Sequence, residues 1–243
     1  MEDPLRHQRI GLVGSGEFTP AMADIDREIL GTIGPAPTVV ILPTAAAGED
    51  PEDWALRGVE HFWRLGARSV GLMVLEPAHA HDPDNVEVIR NADLLYISGG
   101  KTARVLEALE GSPLWQGFLL AREAGAWLVG SSAGAMALGD WALVHRPEDG
   151  HGTPTLWMPG LGMLQGYAVV PHFDAWAEAA ALTEQIVGAC SVFGIDEDTA
   201  VLLDGGRAHV AGAGAAHLYR DEHNAAIYRA GETIPLERGN DPP

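Results

Sequence analysis

Apolar residues along the chain fall into short runs separated by stretches with helical spacing. From Arg9 the order is an apolar run, Ile10-Gly11-Leu12-Val13-Gly14, a helical stretch from about Pro20 to Ile33, and a second run, Thr38-Val39-Val40-Ile41-Leu42, which together read β-α-β. A helix from about Pro51 to Leu65 shows one apolar face at Val59, Phe62 and Trp63, and a third strand follows at 69–75. The alternation goes on with a short helix from Asp82 to Asn91, a buried strand at 93–97, and a helix pair, Thr102 to Glu110 and Trp115 to Ala124, broken at Gly111-Ser112-Pro113. A fifth strand is expected at Ala126-Trp127-Leu128-Val129. Strands apolar throughout, with helices between them, predict an α/β fold with a mostly parallel sheet covered on both faces and sites at the carboxyl ends of its strands.

The second half changes character. Pro147 to Gly166, rich in Gly and Pro, reads as a loop, followed by a strand at 167–170 and a helix from Ala175 to Gly188. Strands near Val192–Ile195, Ala200–Leu203, Ala208–Val210 and Ala216–Tyr219, joined by glycine-rich turns, predict an antiparallel C-terminal extension on one sheet edge. At 243 residues one α/β domain spanning 1–243 is expected, since two would leave too little chain for each core.

Composition narrows the partners. No apolar run approaches the roughly 18 residues that a bilayer requires, and no apolar stretch precedes the first strand, so the expectation is a soluble protein without a secretory signal, in the cytoplasm. The formal charge of −19 argues against nucleic acid or an anionic membrane, because binding phosphate rests on clustered Lys and Arg. Cys190 is the single cysteine, which excludes an internal disulfide and a cysteine-rich metal site. No metal and no cofactor are expected, and a small-molecule substrate is. Gly14-Ser15-Gly16-Glu17 lacks the third glycine of a dinucleotide fingerprint.

The chemistry-bearing segment follows the fifth strand. Gly130-Ser131-Ser132-Ala133-Gly134-Ala135 satisfies G-x-S-x-G, with a strand before it and an alanine-rich helix former after it. So tight a turn needs small neighbours, and amides at the start of the following helix can bind an oxyanion. Of the ten histidines, His172 in Val169-Val170-Pro171-His172-Phe173-Asp174 ends an apolar strand on the elbow's rim and is the best base; His145 and His151 lie in the loop after the elbow helix. Asp196, Glu197 and Asp198 end another strand and supply three candidates for the acid, among which spacing does not choose. Gly99-Gly100-Lys101-Thr102 ends the fourth strand, where a backbone amide could be a second oxyanion donor. Lys101, the one lysine of the chain, stands at that rim and could pair with a substrate carboxylate.

These residues together resemble the aspartyl dipeptidase and cyanophycinase family of serine peptidases, relatives of the class I glutamine amidotransferases with serine in place of cysteine. The likeness rests on Gly14-Ser15-Gly16-Glu17, Pro43-Thr44-Ala45, Gly99-Gly100, the Gly130–Ala135 elbow, Gly160-Leu161-Gly162-Met163-Leu164 leading to Pro171-His172-Phe173, and Gly194-Ile195-Asp196-Glu197, and covers nearly the whole chain. It implies a three-layer α/β/α sandwich of the amidotransferase-like (flavodoxin-like) kind. It implies Ser132 as nucleophile, His172 as base, Glu197 as orienting acid and the Gly100 and Ala133 amides as oxyanion hole; Lys101 and Thr102, at the same rim, are candidate substrate-binding residues by position. The implied reaction is metal-free hydrolysis of short peptides, with an aspartyl residue at the scissile bond, through an acyl-enzyme; a homodimer is compatible with the resemblance and not read from the residues. Cyanophycinases typically carry glutamine near the Gly-Gly turn, Asp-Gln before the histidine and arginines soon after it; Pro171-His172-Phe173 is closer to the dipeptidase branch, although Lys101 stands where that branch usually has Asn.

Two other classes fit parts of the pattern. An α/β-hydrolase esterase also uses G-x-S-x-G, in the order Ser, Asp, His, which would make His209 or His217 the base after an acid such as Asp196. A non-catalytic amidotransferase-like binding domain would keep the fold without turnover.

Overall fold

The computed structural model describes residues 9–144, 156–221 and 225–236. The chain runs β1 (Ile10–Val13), α1 (Ala23–Ile33), β2 (Thr38–Leu42), α2 (Pro51–Arg64), β3 (Arg68–Gly71), α3 (Pro83–Arg90), β4 (Leu94–Ile97), α4 (Thr102–Leu109), α5 (Pro113–Glu123), β5 (Trp127–Ser131) and α6 (Ala133–Leu138). It continues with β6 (Gly139–Val144), β7 (Leu156–Pro159), β8 (Leu164–Val170), α7 (Ala179–Glu184), β9 (Ser191–Ile195), β10 (Thr199–Asp204), β11 (Arg207–Gly212), β12 (Ala215–Tyr219), β13 (Ala225–Arg229) and β14 (Thr233–Ile234).

The first sheet has the order β14-β11-β10-β1-β5-β4-β2-β3. Its β1, β5, β4, β2 and β3 are parallel, and β10, β11 and β14 extend it antiparallel beyond β1. Both faces of β1, β2, β4 and β5 are buried, which is why their runs are apolar without alternation, whereas the edge strand β3 is partly exposed. Val39, Ile41, Leu94, Tyr96, Trp127 and Val129 face one way, onto Ile25, Ile29 and Leu30 of α1 and Phe62 of α2. Val40, Leu42, Leu95, Ile97 and Leu128 face the other, onto Ile89, Val105, Leu109, Phe118 and Met136 of α3 to α6. The result is the expected helix/sheet/helix layering.

A second sheet, β13-β12-β9-β8-β6-β7, shares the core on the α3 to α6 side. Its centre, β6-β8-β9, is parallel. The sequence reading placed strands 192–195 and 216–219 in the extension of the first sheet; they are β9 and β12 of the second. The chain crosses between sheets at Asp196–Asp198, leaving β9 and entering β10 beside β1. Within the predicted 147–166 loop, residues 147–155 lie outside the described residues, whereas Leu156–Pro159 pairs with β6 as an edge strand. The predicted 175–188 helix shrinks to Ala179–Glu184. Its front residues close a turn on the His172 carbonyl, and Thr183 Oγ1 donates back to Ala179 O at 2.9 Å, competing with the helical ladder. Among the described residues no helix is long and apolar enough to cross a membrane.

Cys190 lies buried just before β9, and burial pushes its thiol up to about 11, with the Asp140 charge adding to the shift. At pH 8 about one thiol in a thousand is then thiolate, the reactive form. A disulfide reagent such as DTNB is therefore expected to leave the native protein essentially unmodified over minutes and to titrate one thiol per chain at once in guanidinium; fast native reaction would contradict the buried placement.

Candidate active site

The elbow is built by contacts that admit no side chain at two positions. A Cβ on Gly130 would lie 2.6 Å from the Gly134 carbonyl carbon and oxygen, and one on Gly134 would lie 2.3 Å from Ile97 O at the end of β4. With both glycines the chain reverses from β5 into α6 within one residue. Ser132 takes up the reversal at φ 48, ψ −109, a conformation costly for any residue with a side chain, and its amide is fixed by a 2.9 Å bond to Val13 O. Its hydroxyl is thereby thrust out of the sheet toward the rim.

The imidazole comes from the other sheet. His172 follows β8, also at positive φ (49), and its Nε2 lies 2.9 Å from Ser132 Oγ. Its Nδ1 lies 2.7 Å from Glu197 Oε1, which follows the adjacent parallel strand β9. Parallel pairing of β8 with β9 brings both residues to carboxyl-terminal strand ends, and the shared core sets those ends against the elbow. The Glu197 carboxylate is therefore the one of the three acids that meets His172. Asp196 instead accepts from Ala215 N at 2.8 Å and lies 3.2 Å from His217 Nε2, while Asp198 lies against Gly16. His209 pairs with Glu28 at 2.6 Å. Neither histidine of the esterase alternative is brought to Ser132. His145 and His151 lie outside the described residues.

The Gly99-Gly100 turn is fixed by bonds on either side of one amide. Ser98 N donates to Leu42 O at 3.1 Å, Gly99 N to Glu17 Oε1 at 2.7 Å and Lys101 N to Ala45 O at 2.7 Å; among the described residues the Gly100 amide has no acceptor. Gly100, at φ 136, is exposed and faces a cleft lined by Lys101, Thr102, Ala103, Ser132, Met136 and Trp176. Lys101 reaches Glu49, Nζ to Oε1 2.9 Å, with both side chains nearly half exposed. Thr102 is buried at the start of α4.

Several residues at the site were not singled out from the sequence. The Asp174 carboxylate accepts from Glu197 N at 2.9 Å and so ties the acid loop to the histidine loop. The Trp176 indole stacks on the His172 ring, with centroids 5.2 Å apart and planes inclined by 22°. Its signal was only its place four residues after the histidine, one turn on in a tight loop. Behind the elbow, on the α1 and α2 side of the sheet, Asp26 is fully buried and bonded to His61 at 2.7 Å. Burial raises the Asp26 carboxyl against the lowering effect of His61. Among the described residues no group of three or more His, Cys, Asp or Glu side chains is arranged to hold a metal ion.

The model of peptidase family S51 matches residues 10–211. The crystal structure of a peptidase from an acI-B1 actinobacterium superposes with a TM-score of 0.83 at 31% identity, covering 95% of this chain and 98% of that one. A 1.5 Å crystal structure of a candidate peptidase E from Listeria monocytogenes EGD-e, at 18% identity, covers 85% of this chain and 98% of that one with a TM-score of 0.63, a likeness of fold. No curated protein sequence matches the chain.

The elbow contacts generate a contrast between two glycines. Gly134→Ala should destabilise the protein by about 3 kcal/mol and slow fluorophosphonate labelling of Ser132, because the α6 backbone must retreat from β4. Gly31→Ala, in α1 with nothing within 4 Å of the new Cβ, should be neutral or stabilise by up to about 1 kcal/mol. Denaturant midpoints of the two variants check both statements; equal effects would refute the close-approach account.

Proposed function

The chain belongs to peptidase family S51, the dipeptidase E and cyanophycinase family, and is a serine peptidase; from that premise we propose that Ser132, His172 and Glu197 form its catalytic triad and that its substrates are short peptides carrying an aspartyl residue at the scissile bond. The observation that carries the reading is the unbroken hydroxyl, imidazole and carboxylate contact, 2.9 Å and then 2.7 Å.

In this reading the Ser132 hydroxyl attacks the scissile carbonyl carbon while its proton passes to His172 Nε2. The Glu197 carboxylate holds the ring by Nδ1–H and stabilises the imidazolium that forms. The negative oxygen of the tetrahedral intermediate is received by the Gly100 and Ala133 amides. Accounting for backbone donors supports Gly100: its neighbours on both sides spend their N–H groups within the protein, and among the described residues it meets no acceptor. The imidazolium then gives its proton to the leaving amine, and the acyl group stays on Ser132 Oγ. A water deprotonated by His172 hydrolyses that ester and regenerates the hydroxyl.

Lys101 is the proposed partner of a substrate carboxylate, with Thr102 beside it. In the free protein Glu49 holds the ammonium, so an acidic substrate must displace or share that contact. One domain over 1–243 is the accompanying proposal, supported by the core that both sheets share.

A dipeptide-library screen tests the reading. Ser132→Ala or His172→Ala should lower kcat by about 10⁴-fold or more, and Glu197→Gln by about 10²- to 10⁴-fold. Turnover that survives His172→Ala would remove the proposed base. For Lys101, Lys101→Met should cost about tenfold or more in kcat/KM on acidic dipeptides and less than about twofold on neutral ones; equal losses on both would remove its role.

A further inference from the structure

Glu17 sits in the loop after β1 and touches neither the hydroxyl nor the imidazole, yet its two carboxylate oxygens reach two different strand ends. Oε1 accepts from Gly99 N at 2.7 Å, at the end of β4, and Oε2 accepts from Ser131 Oγ at 2.7 Å, at the end of β5 and one residue before Ser132. These strands are neighbours, with Ile97 opposite Gly130, and β1 lies on the far side of β5, with Val13 opposite Ser131. A Cβ on Gly99 would lie 2.7 Å from Glu17 Oε1 and 3.4 Å from Ser132 Cβ, so the turn passes between the carboxylate and Ser132 with no room for a side chain.

The loop carrying Glu17 is itself pinned. Gly14 N donates to Thr199 O at 2.9 Å, and Cβ atoms on Gly14 and Gly16 would run into Asp196 O and Asp198 Oδ1. The segment that supplies the carboxylate is thus wedged between the elbow and the loop bearing Glu197.

We propose that Glu17 is a positioning residue of this peptidase, a two-pronged brace that fixes the Gly99-Gly100 turn against the nucleophile elbow, so that the Gly100 and Ala133 amides converge on one point. The inference rests on the oxyanion hole proposed above. A carboxylate suits the task because its two acceptors sit on one rigid fork, each reaching a donor at a different strand end. Glutamine preserves the shape: its carbonyl can take the Gly99 amide, and the Ser131 hydroxyl can rotate to accept from its amino group. Alanine releases both donors and leaves the turn held only by the bonds of Ser98 N and Lys101 N on either side.

The experiment compares Glu17→Ala, Glu17→Gln, Ser131→Ala and the Glu17/Ser131 double alanine variant on a peptide that the parent cleaves. Inhibition by a peptide aldehyde, whose adduct with Ser132 places an oxygen in the hole, is measured alongside. Glu17→Ala is expected to lower kcat by about 10²-fold with KM within about threefold, since the lost interactions serve the transition state. Aldehyde affinity should fall by a similar factor to kcat/KM, Gln should recover at least about tenfold of kcat, and the double variant should be less impaired than the product of the single losses. Unchanged kcat in Glu17→Ala, or a loss confined to KM, overturns the proposal, as does aldehyde affinity equal to the parent's. If Glu17→Ala does not fold, Ser131→Ala carries the test, with about a tenfold fall in kcat expected and no fall overturning it. Fluorophosphonate labelling separates the two readings: a parent that is not labelled at Ser132 fails the triad, whereas a parent and a folded Glu17→Ala labelled at equal rates fail the brace alone.

Discussion

How closely α6 can approach the end of β4 decides whether the Ser132 hydroxyl stands clear of the sheet. The carbonyl of Ile97 occupies the space a side chain at position 134 would need, and the backbone of Gly134 occupies the space a side chain at position 130 would need. Bringing the helix in to that distance forces the turn between them to be made by a single residue, and Ser132 carries the resulting strain in its positive φ. The strain is held by a packed sheet on one side and a short buried helix on the other, so the hydroxyl cannot relax back into the plane of the strand.

The rest of the constellation follows from two sheets meeting over one core. Ser132 belongs to the first and His172 and Glu197 to the second, so the hydroxyl-to-imidazole distance is set by packing between sheets and not by pairing within one. The chain supplies its own ties on either side of that seam. Gly14 N bonds to Thr199 O, Phe173 N bonds to Ile195 O, and Asp174 bonds to Glu197 N. Each ties a loop of the site to a strand end or a loop that belongs to another element.

Much of this was legible in the residues because it rests on local rules. Buried parallel strands announce themselves as apolar runs, and the two-glycine spacing around Ser132 has a steric cause that does not depend on distant chain. What sequence could not resolve was partnership. Strands β9 and β10 have similar apolar composition and lie three residues apart, yet one joins each sheet, and only the crossover at Asp196–Asp198 distinguishes them. Strand β6 was missed because the alanine-rich stretch before it has no internal stop, and Gly139 ends the helix where Gly160 packs on its carbonyl. Choosing Glu197 among three acids likewise needed the resemblance, since neighbouring carboxylates differ only in which way the turn points them. Glu17 stands out in the sequence only as part of a glycine-rich turn, because a carboxylate that bonds residues 82 and 114 positions away leaves no periodic trace.

Lys101 is the one lysine of the chain, and it stands at the mouth of the cleft, paired with Glu49 and nearly half exposed. Amine-directed acylating reagents therefore have two addresses on this molecule, the α-amino group and the doorway to Ser132. A dye, spin label or surface tether attached through such chemistry would sit at the mouth of the cleft that Ser132 lines. Immobilising the protein by its amines would by the same token obstruct the mouth of that cleft.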